Sequence, residues 1–214
     1  MPRQVLLDLD GTLVDRQRAF EDWAQAFLAD LGAGERDLAW LLAADENGYR
    51  PRRELATVIR DRFRPAATVA EIEQRLQDEV VEGISCYPGV KGALRRLRAQ
   101  GVELVLVTNG TVAQQTAKLE RTGLAALLDA VVISEAVGVK KPQARIFALA
   151  RGSRAPGDGV WMVGDHPGAD MAGARAAGLL TAWVSHHQPW PHGWQPTLSA
   201  PSTAEVLTRL SDRC

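Results

Sequence analysis

Cysteine is nearly missing from this chain: Cys86 and Cys214 are the only two among 214 residues. They form no C-x-x-C pair and one is the last residue, so neither a disulfide framework nor a zinc knuckle is expected, and a reducing cytoplasm fits. Lysine is also scarce. Lys91, Lys118, Lys140 and Lys141 are the only lysines among 25 basic residues, so a lysine in a special place stands out against an arginine background. Long apolar runs are absent too: none approaches the ~18 residues of a membrane span. Asp8, Asp10 and Asp15 interrupt the N-terminal apolar run, so neither a signal peptide nor a membrane partner is expected. An excess of one charge is likewise lacking, with 25 Lys plus Arg against 26 Asp plus Glu and a net charge of -1. Such a balance supplies no general field for a nucleic-acid polymer or an anionic membrane, so any phosphate recognition must be local. What is present is globular: 46% hydrophobic and 24% charged residues, in a length that suits one domain or a core with an insertion.

Five short runs rich in Val, Ile, Leu and Trp read as buried strands: 5–9, 102–107, 130–133, 160–163 and 180–184. Helical patterns lie between the later ones and end at Gly101, Gly123, Gly152 and Gly178. Strand and helix in steady alternation predict an α/β fold, a parallel sheet with helices on both faces. One interval breaks the rhythm, because far more chain separates Asp10 from Thr108 than the ~30 residues of a strand-helix-strand unit. Its content is helical: Phe20, Trp23, Ala24, Phe27, Leu28 and Leu31 share one face, Leu55, Val58, Ile59 and Phe63 another, and Thr68 with Glu71 forms a capping box ahead of a third. The spacing therefore predicts a core made of 1–14 and 87–214, with 15–86 as an inserted helical cap. The stretch 186–201 reads as a loop before a last helix around 205–210.

The first strand runs into Asp8-Leu9-Asp10-Gly11-Thr12. In an open parallel sheet the ligand crevice lies at the carboxyl ends of the strands, so both acids face a candidate site. A period of two puts them on one side if extension continues, and two like charges that close call for a proton or a cation. Other strand ends add Thr108-Asn109-Gly110, Lys141-Pro142, and Gly164-Asp165 through Asp170. A pocket lined by oxygen donors for a hard divalent ion accounts for the set, and Mg²⁺ suits it.

In order and spacing these four segments resemble the motifs of the haloacid dehalogenase-like phosphohydrolases. The resemblance implies a Rossmann-like core, a helical cap between motifs one and two, and hydrolysis of a small-molecule phosphate ester. It implies Asp8 as nucleophile and Asp10 as general acid and base. Mg²⁺ would be held by Asp8, the Asp10 backbone carbonyl and Asp165, with Asp170 holding its waters. Thr108, the Asn109 and Gly110 backbone, and Lys141 would bind the phosphoryl oxygens, Lys141 being preferred to Lys140 because it precedes the proline. The stretch from Thr108 to Phe147 looks most like bacterial house-cleaning nucleoside 5′-monophosphate phosphatases.

The resemblance leaves a sugar phosphomutase, a haloalkanoate dehalogenase and a non-catalytic binding module as alternatives. Asp10 disfavours the dehalogenase, since expelling a halide needs no proton. Arg16 is a candidate substrate ligand just beyond the first motif. His166 reads either as a turn residue or as a group near the metal, and His186, His187 and His192 as a solvated loop. The chain is expected to be a cytoplasmic monomer or weak homodimer.

Overall fold

A computed structural model describes residues 1–155 and 157–214. The described strands are β1 (Gln4–Leu7), β2 (Glu103–Thr108), β3 (Ala130–Ile133), β4 (Val160–Gly164), β5 (Leu180–Val184) and β6 (Leu198–Ala200). They form one parallel sheet in the order β3-β2-β1-β4-β5-β6. The helices are α1 (Arg16–Asp30), α2 (Glu35–Asp45), α3 (Arg52–Phe63), α4 (Val69–Glu82), α5 (Val90–Ala99), α6 (Val112–Thr122), α7 (Ser134–Val137), α8 (Ala144–Arg151), α9 (Gly173–Ala176) and α10 (Thr203–Ser211). No described helix is long and apolar enough to cross a membrane.

The chain divides into two compact units: Met1–Val14 with Cys86–Cys214, and Asp15–Ser85. In the first, Val5, Leu6 and Leu7 are all fully buried. Successive strand residues point to opposite faces, so both faces of the central strand are covered. One face packs Leu6, Val105, Val107 and Met162 against Ile146 and Phe147 of α8 and Met171 and Ala174 beyond β4. Gly173 permits the closest approach there, since a Cβ on it would stand 2.8 Å from the Phe147 ring. The second unit is helical. Phe20, Trp23 and Phe27 stack along α1 with centroids 5.5 and 5.1 Å apart, and the Thr68 capping box starts α4.

Three elements differ from the sequence expectation. β1 stops at Leu7, because the Leu9 carbonyl collects the N–H groups of Thr12, Leu13 and Val14 and turns the chain. α2 was not foreseen: its apolar residues run without a break from Leu38 to Ala44, which hides the helical period that a stripe would show. β6 lies inside the stretch expected to be loop, three residues long and paired to β5.

Candidate active site

The strand order builds the site. β2 and β3 lie on one side of β1 while β4 and β5 lie on the other, so the order reverses at β1 and opens a crevice at the carboxyl ends of β1 and β4. Leu7 is in register with Val163 and with Leu106. Asp8 therefore emerges beside Asp165 on one side and Thr108 on the other, and its N–H still pairs with the Val163 carbonyl at 3.0 Å.

Asp8, Asp165 and Asp170 each bring a carboxylate oxygen within 4.8 Å of the others. Lys141 completes the cluster, its Nζ 2.5 Å from Asp8 Oδ1 and 2.7 Å from Asp170 Oδ1. Lys141 is 4% exposed and Lys140 is on the surface, so the lysine before the proline is the one that reaches the acids. Burial pushes the Asp8 carboxyl up to about 7, with Asp170 and Asp10 adding to the rise and Lys141 opposing it. Burial also raises Asp165 well above the ordinary range, helped by Asp8 and Asp170. For Lys141 burial favours the neutral amine, but Asp170 and Asp8 outweigh it and hold the ammonium above its ordinary value.

Close backbone approach makes this packing possible. Gly11 has φ +79, and a Cβ there would lie 2.5 Å from Asp165 Oδ2. Gly164 touches the Asp170 carboxylate in the same way. The buried Thr12 hydroxyl donates to Asp165 Oδ1 at 3.0 Å and to Asp8 Oδ2 at 3.4 Å. Asp170 accepts the His166 N–H at 3.0 Å, while His166 Nδ1 accepts the N–H groups of Gly168 and Ala169 and so caps the turn.

The Asp10 carboxylate lies outside the three-acid group. Its oxygens accept from Lys118 Nζ at 2.8 and 2.6 Å, and Oδ2 also from Gln115 Nε2 at 3.2 Å. Gln115 Nε2 also donates to Thr108 Oγ1 at 2.5 Å. Asn109 uses its side chain on the Lys141 backbone, accepting its N–H at 2.8 Å and donating to its carbonyl at 3.1 Å. The Gly110 N–H donates to Ser134 Oγ at 3.0 Å. Thr12, Gln115, Lys118 and Ser134 were not singled out as site residues from the sequence. Only the scarcity of lysine pointed toward Lys118.

Arg16 belongs to the helical unit, where it is 5% exposed and paired with Asp45 through both terminal nitrogens, Nη2 to Oδ1 at 2.6 Å. Arg52 adds a contact to Asp45 Oδ1 at 2.8 Å. Burial works to raise Asp45, but Arg16 and Arg52 outweigh it and hold its carboxyl below 3.8. Asp45→Ala strands a buried guanidinium and is expected to cost about 3 kcal/mol in urea unfolding at pH 7. In the parent this contribution is full above pH 3.8 and declines as pH falls through the lower folded value. His186 Nε2 sits 2.6 Å from the Gly11 carbonyl, and His192 packs against Trp190 and Trp194 at 5.2 and 5.9 Å.

Residues 5–184 match the family model for haloacid dehalogenase-like hydrolases. The chain belongs to that family. Among curated hydrolase relatives, the phosphoglycolate phosphatase of Cupriavidus necator is 32% identical over 211 residues, covering 96% of this chain and 90% of that one. The pyrimidine 5′-nucleotidase YjjG of Escherichia coli is 40% identical over 122 residues, 56% of this chain, and the chain spans about half that relative's length, 54%. Among solved structures of hydrolases in the family, YfnB of Bacillus subtilis, bound to magnesium, has a TM-score of 0.79 at 25% identity, with 98% of each chain covered.

The donor set of this haloacid dehalogenase-like hydrolase suits a hard cation. Asp8, Asp10, Asp165 and Asp170 bring four carboxylates and Lys118 and Lys141 two ammonium groups, a formal excess of two negative charges. Burial, with the neighbouring acids adding to it, raises Asp8 and Asp165. A single divalent ion cancels the charge excess, and Asp8, Asp165 and Asp170 each offer it a carboxylate oxygen.

Proposed function

We propose that the protein is a Mg²⁺-dependent phosphatase that hydrolyses a small phosphate monoester by way of a phosphorylated Asp8. The observation that carries this reading is the division of the acids. Asp8 sits with Asp165, Asp170 and Lys141, while Asp10, two residues on, is held apart on Lys118 and Gln115. This division suits one carboxylate to attack and the other to proton transfer.

Asp8 forms a bond to phosphorus as the ester oxygen leaves, and Asp10 supplies the proton that the leaving alkoxide needs. Asp10 then takes a proton from water as that water attacks the acyl phosphate, which releases inorganic phosphate and restores Asp8. Lys141 and Thr108, with the Asn109 N–H, neutralise and orient the phosphoryl oxygens. Asp8, Asp165 and the Asp10 carbonyl, with Asp170 holding its waters, would hold Mg²⁺, which would supply charge neutralisation for the approach of two anions.

A nucleoside 5′-monophosphate is the proposed substrate, supported by the motif resemblance of residues 108–147 and by the likeness to the pyrimidine 5′-nucleotidase. A panel of nucleotide, sugar and glycolate phosphates tests it, with phosphate release read against isomerised product. Nucleoside 5′-monophosphates are expected to lead in kcat/KM by about tenfold or more, the scale of a few side-chain contacts. A lead for glycolate phosphate would overturn the substrate, and an isomerised sugar phosphate would overturn the hydrolase.

A further inference from the structure

Lys118 is a buried cation to which the reaction above gives no task. It lies on α6, 7% exposed, and its Nζ donates to both oxygens of Asp10. Gln115, one turn earlier on the same helix, contacts the same carboxylate and the Thr108 hydroxyl. Taking an ammonium out of water is costly and adds little to stability even when it is paired, so packing alone does not explain a lysine there. Asp10 itself follows the end of β1, on the segment where the chain turns. A proton-transfer group must nevertheless be aimed within hydrogen-bond reach of the atom it serves.

We propose that Lys118 is a positioning residue: with Gln115 it anchors the Asp10 carboxylate from α6, the two donors keeping hold of Oδ2 when Oδ1 exchanges its Lys118 contact for the leaving oxygen. Gln115 ties the same anchor to Thr108, so that the proton-transfer and phosphoryl-binding groups share one support. This inference rests on the phosphatase reading and deepens it.

Leaving-group dependence separates positioning from general structural damage. An alkyl phosphate needs a proton as its P–O bond breaks, whereas 2,4-dinitrophenyl phosphate expels a stable phenolate. Lys118→Met is expected to lower kcat/KM for the best alkyl ester of the panel by about 10²-fold, the low end of what a general acid contributes. The loss on the aryl ester is expected to be at least about tenfold smaller, because only the proton-dependent part is misplaced. Lys118→Arg, which keeps a donor at that place, is expected to restore most of the alkyl activity. In an Asp10→Asn background Lys118→Met is expected to add no further loss, since the two act as one unit.

Equal losses on both esters, or an additive loss in the Asp10→Asn background, would overturn the proposal. So would faster alkyl turnover in Lys118→Met, which would mean that the pair restrains Asp10. Thermal midpoints of all variants accompany the kinetics, and Lys118→Gln replaces Lys118→Met if the latter does not fold. A parent enzyme that hydrolyses neither ester would fail on the phosphatase reading itself, an outcome distinct from loss of the Lys118 effect.

Discussion

Asp8→Asn is expected to reduce kcat for phosphate-ester hydrolysis by about 10⁴-fold or more, the scale seen when a covalent nucleophile is removed. What remains is binding and charge neutralisation by Lys141 and Thr108, which an amide at position 8 leaves in place. The same substitution has an opposite effect on stability. In the metal-free protein at pH 8 Asp8 is ionised in a buried place that pushes its carboxyl up to about 7. A neutral amide there removes an unfavourable charge, so the thermal midpoint of metal-free Asp8→Asn is expected to rise. Activity lost with stability gained distinguishes removal of a nucleophile from a damaged fold. Turnover within about tenfold of the parent would rule Asp8 out as nucleophile.

The second large effect is the response to Mg²⁺. The raised carboxyl of Asp8 means that the folded chain binds a proton more tightly than the unfolded one, and Asp165 has the same sign. Without metal, the Asp8 contribution to stability is therefore expected to fall as pH rises from 3.8 to about 7 and to level off above that, with Asp165 adding a loss of the same sign. A divalent cation takes the place of the protons and flattens that slope. At a concentration a hundred times its dissociation constant it adds about 2.7 kcal/mol, which is about 5–10 °C in the midpoint of a chain this size. Thermal melts at pH 5 and pH 8, with and without millimolar Mg²⁺, are expected to show the larger shift at pH 8. A chelator is expected to abolish turnover and Mg²⁺ to restore it. Equal midpoints with and without the ion at pH 8 would contradict a metal position among these acids.

The sheet was legible because its central strands β1, β2, β4 and β5 are buried on both faces and so read as continuous apolar runs. Strand ends were enough to bring Asp8, Thr108, Lys141, Asp165 and Asp170 to one edge, since a parallel α/β sheet collects them there. α2 escaped because an unbroken apolar run carries no period. β6 escaped because three residues with one apolar pair look like loop. The support of the site was least visible. The Gln115 and Lys118 contacts with Asp10 cross about a hundred residues of chain, and the Asn109 clamp on the Lys141 backbone is fixed by the β2 and β3 ends rather than by any local pattern. Asp10 shows the limit of strand periodicity most clearly. Alternation puts it on the same side as Asp8 only if extension continues, and the chain turns at Leu9, with the Asp10 carboxylate held by Lys118.

Borohydride reduction of the enzyme during turnover, followed by peptide mass spectrometry, tests the covalent step most directly, because an acyl phosphate is reduced to an alcohol and an ordinary carboxylate is not. Reduction confined to Asp8, dependent on substrate and on Mg²⁺, is the predicted result. Phosphate release with Asp8 unreduced, or reduction at a different carboxylate, would contradict it.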